Sequence, residues 1–496
     1  MKSYPAVFAL VFTALAAIPN LAAGPNPRVD GYRGIWFTLG QYYGPGENGE
    51  AYSERRVNDP TFPYGDKYSG GLGTYTAKHT PLAIHAPEVD KTFFVYGGTP
   101  AADERRLYCM VSYFDHRTGQ VPRPVIVHDK SPVADPHDNP SLAIDRDGYL
   151  WVFISGRAAQ RPGFIYRSRT PHDIDAFELV HTGEITYPQP HYDSAQGFLH
   201  LFTKYTGVRE LYFSHSANGH SWSADQLQAG MREPGDSRGG HYQTSATHDG
   251  VTGTFFNRHP NGDVDRRTDL YYVETPDQGR TWRTIDGQSV EIPLRDPQHA
   301  SRVRVWSEEN QNVYLKDMGF DEAGRPVGLY VVSPGHQPGP PNDPRYVYVS
   351  TFRDGAWAHH RICPTDHNYD MGSLYLSDED WQVWVPSDPG PQPHHGGGEI
   401  IIWRSLDDGV TWARHQTVTH SSPRNHNYVR RPLNRSDPFF AFWTDGDPTG
   451  LSPSELYFSN STGDQIWKLP YRMDGAFASP EPVPSTPPHS AAGAAP

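Results

Sequence analysis

"SLDDGVTW", residues 405–412, matches the pattern S-x-D-x-G-x-T-W, which is known as an aspartate box. A second copy, "TPDQGRTW", runs from Thr275 to Trp282 with Thr in place of Ser. Asp and Gly in the middle of such a stretch favour a tight turn between two strands. The two boxes therefore predict two strand–turn–strand units of the same kind.

Weaker copies of the box repeat along the chain. They end in or surround tryptophans, so that the series is Trp222, Trp282, Trp357, Trp412 and Trp467, with spacings of 60, 75, 55 and 55 residues. Such a period suits a four-stranded antiparallel unit in which the turn joins the third strand to the fourth and the Trp packs between neighbouring units. Roughly 450 residues at this period give about seven units, so we predict a seven-bladed β-propeller.

Composition agrees with an all-β class. Aromatic residues make up 13% of the chain, and Gly and Pro number 47 each, which favours short strands joined by many turns. "DRDGYLWVFISG", residues 145–156, reads as a further hairpin. The box turns themselves are expected to be structural and distant from the chemistry.

Both ends of the chain differ in composition from the middle. Residues 1–23 combine one Lys, an apolar run and an "LAA" end, which is typical of a signal peptide. We therefore expect a secreted, extracellular protein. Residues 24–475 are expected to form one propeller domain that carries the catalytic site. The Pro- and Ala-rich stretch 476–496 is expected to be a disordered tail.

Charge and cysteine content narrow the possible partners. The net charge is −14, and no long basic run is present, so binding to nucleic acid or to an anionic membrane is not expected. An anionic substrate would need a local basic pocket, and we expect the protein to act as a monomer. Cys109 and Cys363 can pair or remain buried thiols, and the sequence leaves both open.

Short clusters of His, Tyr, Arg and Lys lie beside strand-like runs in several repeats. A propeller brings loops from every blade to one end of its channel, so residues far apart in sequence can form one site. We predict four catalytic residues, namely His79, His137, Tyr187 and Arg209. We predict five substrate-binding residues, namely Lys204, Tyr205, Asn257, Arg258 and Arg266.

These residue types suit β-elimination at a uronic acid. This reaction needs a base for the proton on carbon 5, a cation beside the carboxylate, and an acid for the leaving oxygen. His and Tyr can supply the first and third roles, and Arg the second. The clusters hold no clear Asp/Glu pair of the kind used in two-carboxylate hydrolysis.

For several of these residues, a structural role is the alternative to a catalytic one. His79 can cap the turn after the run from Gly70 to Gly73, and His137 can stabilise an H-D-N-P corner. Tyr187 can be a packed blade aromatic. His191, His259 and His367 lack the spacing of a zinc site. We expect no cofactor in the chemistry, while a structural Ca²⁺ in the channel would leave no short motif and remains open.

Several long motifs resemble one family of secreted propeller enzymes. They are "GYRGIWFTLGQ", "GDKYSGGLGTYTAKHTPLAI", "EVDKTFFVYGG", "FTKYTGVRELYF", "FNRHPNGDVDRRTDLYYVET" and "NYVRRPLNRSDPFFAFWTDG". The chain resembles, from about Gly31 to Asn460, the L-rhamnose-α-1,4-D-glucuronate lyases and the similar propeller α-L-rhamnosidases, with ulvan lyases as more distant relatives. The resemblance implies a seven-bladed propeller that attacks a terminal rhamnose on arabinogalactan or gum arabic.

The resemblance also implies roles for some residues. The Y-x-x-K-H motif, whose histidine is associated with catalysis in the rhamnosidase branch, matches residues 75–79. His137, Tyr187 and Arg209 resemble the His, Tyr and Arg set of the ulvan lyases, with Tyr192 and Tyr205 as competitors for the tyrosine. We predict a lyase, with a rhamnosidase or a non-catalytic carbohydrate-binding propeller as alternatives.

Overall fold

Seven antiparallel sheets follow one another along the chain, as the repeat predicts. The computed structural model describes residues 24–35, 63–64, 70–101, 104, 106–449 and 452–484. The predicted signal peptide lies outside these residues. The described part contains strands and four short 3₁₀ helices, at Pro136–Asp138, Pro260–Gly262, Trp306–Glu309 and Pro340–Asn342.

The first three blades have four strands each. Blade 1 contains β1 (Ala83–Ala86), β2 (Lys91–Gly98), β3 (Tyr108–Asp115) and, after the short β4 (Val121–Pro122), β5 (Val125–Asp129). Blade 2 contains β6 (Pro140–Ile144), β7 (Leu150–Ile154), β8 (Gly163–Ser168) and β9 (Phe177–Gly183). Blade 3 contains β10 (Thr186–Asp193), β11 (Gly197–Lys204), β12 (Glu210–Ser216) and β13 (Gln226–Ala229).

The remaining blades keep this order. Blade 4 contains β14 (Gln243–His248), β15 (Val251–Arg258), β16 (Thr268–Thr275) and β17 (Trp282–Arg283), with β18 (Ser289–Val290) and β19 (Arg302–Arg304) added. Blade 5 contains β20 (Asn312–Phe320), β21 (Pro326–Ser333), β22 (Arg345–Arg353) and β23 (Ala356–Thr365). Blade 6 contains β24 (Ser373–Leu376), β25 (Trp381–Asp388), β26 (Glu399–Ser405) and β27 (Ala413–Thr417). Blade 7 contains β28 (Asn425–Arg430), β29 (Ala441–Gly446), β30 (Leu456–Ser459) and β31 (Ile466–Lys468).

The segment after residue 476 departs from the sequence prediction. Within it, β32 (Phe477–Ala478) pairs with β4, and β33 (Glu481–Val483) pairs with β31. Disorder is therefore the wrong prediction for residues 477–483, because β33 extends the sheet of the last blade and β32 forms a two-stranded sheet with β4. Residues 485–496 lie outside the described part of the chain.

The core lies between the blades. Seven hydrophobic clusters of described residues correspond to the seven seams, including the seam between blade 7 and blade 1, where Phe94 packs on Phe439 and Phe442. Burying a side chain of this size stabilises a fold by about 1.5–3 kcal/mol. Sheet-to-sheet packing around the whole ring therefore closes the propeller.

The aspartate boxes join the third and fourth strands, as predicted. In the box between β26 and β27, the Asp407 carboxylate accepts from the backbone N–H of Thr411 at 2.8 Å, and Gly409 N–H donates to Ser405 Oγ at 2.9 Å. Gly279 of the other full box has a φ of +85°, and a Cβ there would lie 2.4 Å from Phe213 of the neighbouring blade. This box turn therefore packs directly against the neighbouring blade.

Cys109 and Cys363 are buried thiols that do not pair with each other. Their separation in blades 1 and 5 leaves no disulfide in the described residues. Across those residues, the structure has no helix with the length and apolar character required to cross a lipid bilayer.

Buried histidines make the fold sensitive to acid. Burial lowers the pKa of His79 to about 3, and it is the first cause that lowers those of His137, His191 and His241 to about 4. Below pH 6.5 the unfolded chain binds protons that the folded chain does not. The stabilisation is therefore complete above pH 6.5 and is lost as the pH falls toward 4.

We therefore expect the melting temperature to drop steeply between pH 6.5 and pH 5. Each such histidine contributes a loss of up to about 1.4 kcal/mol per pH unit. Thermal unfolding measured at half-unit pH steps tests this expectation. A melting temperature that stays constant from pH 7 to pH 5 would contradict the buried neutral state of these rings.

Candidate active site

The loops that enter the innermost strands meet at one end of the central channel. The first strands of neighbouring blades contact one another around the axis, and each begins at the same end. The segment 70–82 precedes β1, the turn Pro136–Asp138 precedes β6, and Tyr187 and Tyr242 stand at the starts of β10 and β14. Residues distant in sequence are therefore placed side by side.

A chain of hydrogen bonds fixes His137 in this cluster. Its Nδ1 lies 2.6 Å from Asp135 Oδ1, and its Nε2 lies 2.8 Å from the hydroxyl of Tyr75. The carboxylate of Asp135 is also held by Arg161 at 2.7 Å. Although Asp135 favours the charged ring, burial dominates and lowers the pKa of His137 to about 4. His137 is thus neutral at pH 7, with Nδ1–H donating to Asp135 and Nε2 accepting from Tyr75.

Two tyrosines from adjacent blades face each other beside His137. The ring centroids of Tyr187 and Tyr242 are 5.5 Å apart, and that of His137 is 5.9 Å from Tyr187. Tyr187 also has a φ of +57°, a left-handed conformation that costs a bulky residue about 1–3 kcal/mol. The surrounding structure holds this strained backbone in place, which is common at functional positions.

Basic side chains surround Tyr242. The Nζ of Lys78 lies 4.6 Å from its ring centroid, and the guanidinium carbons of Arg267 and Arg209 lie at 4.9 Å and 5.9 Å. Lys78 is itself buried beside Arg267, Lys316 and Arg430, and burial together with these charges lowers its pKa well below the ordinary value. The cluster is electropositive although the chain carries a net charge of −14.

These cations change the acidity of the phenol. Burial raises the pKa of Tyr242, but Arg209, Arg267 and a hydrogen bond from Tyr187 outweigh it, so the net pKa is lower than the ordinary 10. Tyr330 behaves in the opposite way, because burial outweighs the effects of Ser350 and Arg304 and raises its pKa. The neighbouring arginines therefore favour the phenolate form of Tyr242.

His79 lies behind Tyr187, fully buried. Its ring centroid is 5.7 Å from that of Tyr187, and its Nδ1 is 3.4 Å from the backbone N of Thr76 in its own turn. Its Nε2 is buried with no hydrogen-bond partner among the described residues. Because burial lowers its pKa to about 3, the ring is neutral at pH 7 and is only a weak base.

The unpartnered Nε2 of His79 fits a catalytic role, and the contact of its Nδ1 with the backbone of Thr76 fits a turn-capping role. A substitution distinguishes the two roles. If His79 serves the chemistry, His79→Ala is expected to lower turnover by about a hundredfold or more and to change the melting temperature by only a few degrees. If the ring only caps its turn, stability falls and the folded fraction keeps normal turnover. Turnover number and melting temperature, measured on the same preparation, decide between the two.

Of the neighbouring predicted substrate-binding residues Lys204 and Tyr205, Tyr205 flanks the cluster. Tyr205 lies beside Arg157, whose guanidinium carbon is 5.8 Å from its ring centroid, and Arg157 also reaches Asp135 at 3.2 Å. Lys204 instead pairs with Asp225 at 3.0 Å. Tyr205 therefore borders the site, whereas the ammonium of Lys204 forms its ion pair with Asp225 away from the site.

The side chains of the other three predicted residues are bonded to other groups or face solvent. Arg258 is buried beside three carboxylates, at 3.5 Å from Glu233, 3.5 Å from Asp236 and 3.9 Å from Asp269. Asn257 bonds to the backbone of Tyr242 and Val313, and Arg266 is exposed. Among the four residues expected to form one pocket, Arg209 is the one whose side chain faces the Tyr242 ring, and Arg267 and Lys78 lie there beside it.

Sequence reasoning missed Tyr242 altogether and chose Arg266 over its neighbour Arg267. A positional signal was available, because tyrosines recur at or just before the innermost strands of blades 3 to 7, at Tyr187, Tyr242, Tyr314, Tyr369 and Tyr428. Arg267 donates to the hydroxyl of Tyr369 and lies 4.6 Å from the ring centroid of Tyr314. These tyrosines form the wall of the channel end.

A separate cavity of about 650 Å³ lies at the opposite end of the channel, beside the ends of the innermost strands, where Ile144, Tyr192 and Leu376 line it. The catalytic candidates do not line this cavity. The candidate residues cluster instead at the end of the channel where the innermost strands begin.

A closed seven-bladed propeller with a cationic, tyrosine-lined site at one end of its channel defines the class of this protein. The chain belongs to the BNR repeat-containing family, whose sequence pattern matches residues 102–363. Among curated proteins, none matches the sequence.

Two solved structures of a PL25 ulvan lyase share the fold. One, bound to -[GlcA(1-4)Rha3S]-, has 14% identity and a TM-score of 0.65, with 79% of this chain and 94% of that chain covered. The other has 15% identity and a TM-score of 0.64 over the same shares. At this identity the likeness shows a common architecture.

Proposed function

We propose that the protein is a carbohydrate-active lyase that removes terminal L-rhamnose from rhamnosyl-α-1,4-glucuronic acid ends by β-elimination. The observation that carries this proposal is the Tyr242 phenol, with its lowered pKa, among Arg209, Arg267 and Lys78. The resemblance to rhamnosyl-glucuronate lyases, the BNR repeats and the fold shared with an ulvan lyase support the same class of reaction. Arabinogalactan and gum arabic carry such ends.

Arg209 is the proposed partner of the uronate carboxylate. Its guanidinium is partly exposed, donates to the carbonyl of Gly262 at 3.0 Å and has tyrosines and Arg267 as its electrostatic neighbours. Negative charge spreads onto the carboxylate as the carbon-5 proton leaves. A fixed guanidinium stabilises this charge more in the transition state than in the ground state, which lowers the barrier.

The two tyrosines are the proposed proton carriers. Tyr242, as phenolate, takes the proton from carbon 5, and the C–H electron pair becomes the double bond between carbons 4 and 5. The bond from carbon 4 to oxygen 4 breaks, and Tyr187 gives its proton to that oxygen, which leaves with rhamnose. A proton shift along the Tyr242–Tyr187 hydrogen bond restores both groups without water.

The neutral histidines have supporting roles in this proposal. His137, held by Asp135, packs on Tyr187 and accepts from Tyr75, and His79 packs on the same phenol ring. Asp135 and Asp138 lie close by, but Arg161 holds both of them, at 2.7 Å and 2.9 Å. Carboxylates that are both ion-paired with one arginine do not favour the two-carboxylate hydrolysis of a rhamnosidase.

The test is incubation of the purified protein with gum arabic. Two products are measured, namely free rhamnose and the ultraviolet absorbance of an unsaturated uronate. The lyase proposal expects both to rise together. Rhamnose without the absorbance would replace the lyase by a hydrolase, and the absence of both products would leave a carbohydrate-binding propeller.

An extracellular polymer as substrate fits the secretion predicted from residues 1–23. The structural Ca²⁺ and the monomeric state stay predictions.

A further inference from the structure

Three potential metal ligands meet at the edge of blade 1. His85 lies on β1, Asp90 lies in the turn between β1 and β2, and His116 follows β3. One ligand atom from each of the three residues lies within 4.8 Å of the others. His85 is buried, whereas Asp90 and His116 are partly exposed, so that an ion could enter from solvent.

The hydrogen bonds of His116 settle which nitrogen can bind an ion. Its Nδ1 is 3.0 Å from the carbonyl oxygen of Asp437, which can only accept, so Nδ1 carries the proton. The lone pair is then on Nε2, which accepts from the Thr92 hydroxyl at 2.7 Å. A backbone carbonyl bound to the far nitrogen is the usual support of a metal-binding imidazole, because it fixes the tautomer and the ring orientation.

The distance between the other two groups also fits a shared ion. His85 Nε2 and Asp90 Oδ1 are 3.4 Å apart, longer than the usual 2.7–3.2 Å of a nitrogen–oxygen hydrogen bond. Two ligands at about 2.0–2.2 Å from a tetrahedral zinc are separated by about 3.4 Å. The rings of His85 and His116 stand edge to face with centroids 4.9 Å apart. Both rings therefore lie next to the position that a shared ion would take.

We propose that His85, Asp90 and His116 bind a Zn²⁺ ion with two imidazole nitrogens and one carboxylate oxygen, and that water completes the tetrahedron. On binding, Nε2 of His116 would exchange the Thr92 hydroxyl for the metal. The site is separate from the channel end that carries the proposed chemistry, so its role is structural.

The position of the site suggests what the ion would stabilise. The backbone N–H of His85 donates to the carbonyl of Leu433 at 2.9 Å, and His116 bonds to Asp437. Leu433 and Asp437 both lie in the loop between β28 and β29 of blade 7. The three ligands thus stand at the seam where the last blade meets the first, and a bound ion would strengthen the closure of the ring.

The test uses zinc alone on chelator-treated protein. We expect calorimetry to give one site per chain, Co²⁺ to give the visible absorption of a tetrahedral complex, and a 100-fold excess of Zn²⁺ over Kd to raise the melting temperature by about 2 °C or more. D90N is the preferred variant, because Asp90 has a φ of +50° and Asn tolerates that conformation. H116Q is the second variant, and H415Q, at an exposed histidine of β27, is the control.

In both ligand variants zinc affinity is expected to fall at least about tenfold, the usual minimum for losing part of a metal site, and the thermal shift to shrink with it. H415Q is expected to bind as the wild type does. No stoichiometric zinc binding by the wild type would overturn the proposal. So would binding that D90N and H116Q both leave unchanged, because the ion would then be held by other histidines.

Discussion

Tyr242→Phe is expected to lower turnover by about a hundredfold or more, the usual contribution of a general base. The substitution removes only the hydroxyl, so the packing of the ring on Tyr187 and His259 remains, and the melting temperature should change by no more than a few degrees. Steady-state rates and thermal unfolding measured on the same preparation give both quantities. Turnover close to that of the wild type would remove Tyr242 from the mechanism.

The pH dependence of the wild type adds a second readout. Because the base must be ionised and its pKa lies below 10, kcat/KM should rise with pH and level off below pH 10. A neutral His79 as the base would give no rise above pH 6, since its pKa is about 3. Tyr330→Phe is the matched control: its buried hydroxyl bonds to Ser350 at 2.8 Å in blade 5, and its loss should leave turnover unchanged.

Arg209→Met is expected to reduce kcat/KM by about 10²–10³, the size measured when one fixed donor to a developing anion is removed. The substitution also takes away the first of the cations that lower the pKa of Tyr242, so the rising limb of the pH profile should move to higher pH. A reduced rate with an unshifted profile would mean that Arg209 does not act on the phenol.

Arg258→Met is the informative comparison for Arg209. Arg258 lies among Glu233, Asp236 and Asp269, and its loss leaves their charges uncompensated, so stability should fall by about 3 kcal/mol. Turnover per folded molecule should persist. A stable Arg258→Met enzyme with a large loss of turnover would restore the sequence prediction that this residue binds substrate.

The fold was accessible from the sequence because its signals are local and repeated. A box such as residues 405–412 forms its turn with its own side chains, so the pattern predicts the turn without knowledge of the rest of the protein. The tail was predicted less well. Its composition suggested disorder, but pairing of Phe477 with Pro122, far away in sequence, gives part of it a regular structure.

The candidate site was accessible only in part. His137, Tyr187 and Arg209 do converge with His79, since each stands near the start of a blade or in a loop of the same channel end. Arg266 and Arg267 lie in the loop between β15 and β16, and sequence alone did not show that Arg267 faces the tyrosines while Arg266 faces solvent. The lowered pKa of Tyr242 arises from charges on three separate loops, which no local motif records.

The central claim is tested most directly by the mass of the uronate-bearing product. A rhamnosyl-glucuronate oligosaccharide of defined structure is incubated with the enzyme, and the mass of the acidic product is measured by mass spectrometry. Elimination predicts an unsaturated uronate that is lighter than the corresponding glucuronate by one water molecule, together with free rhamnose. An acidic product with the full mass of the glucuronate would show that water was added across the bond, and would contradict the lyase mechanism.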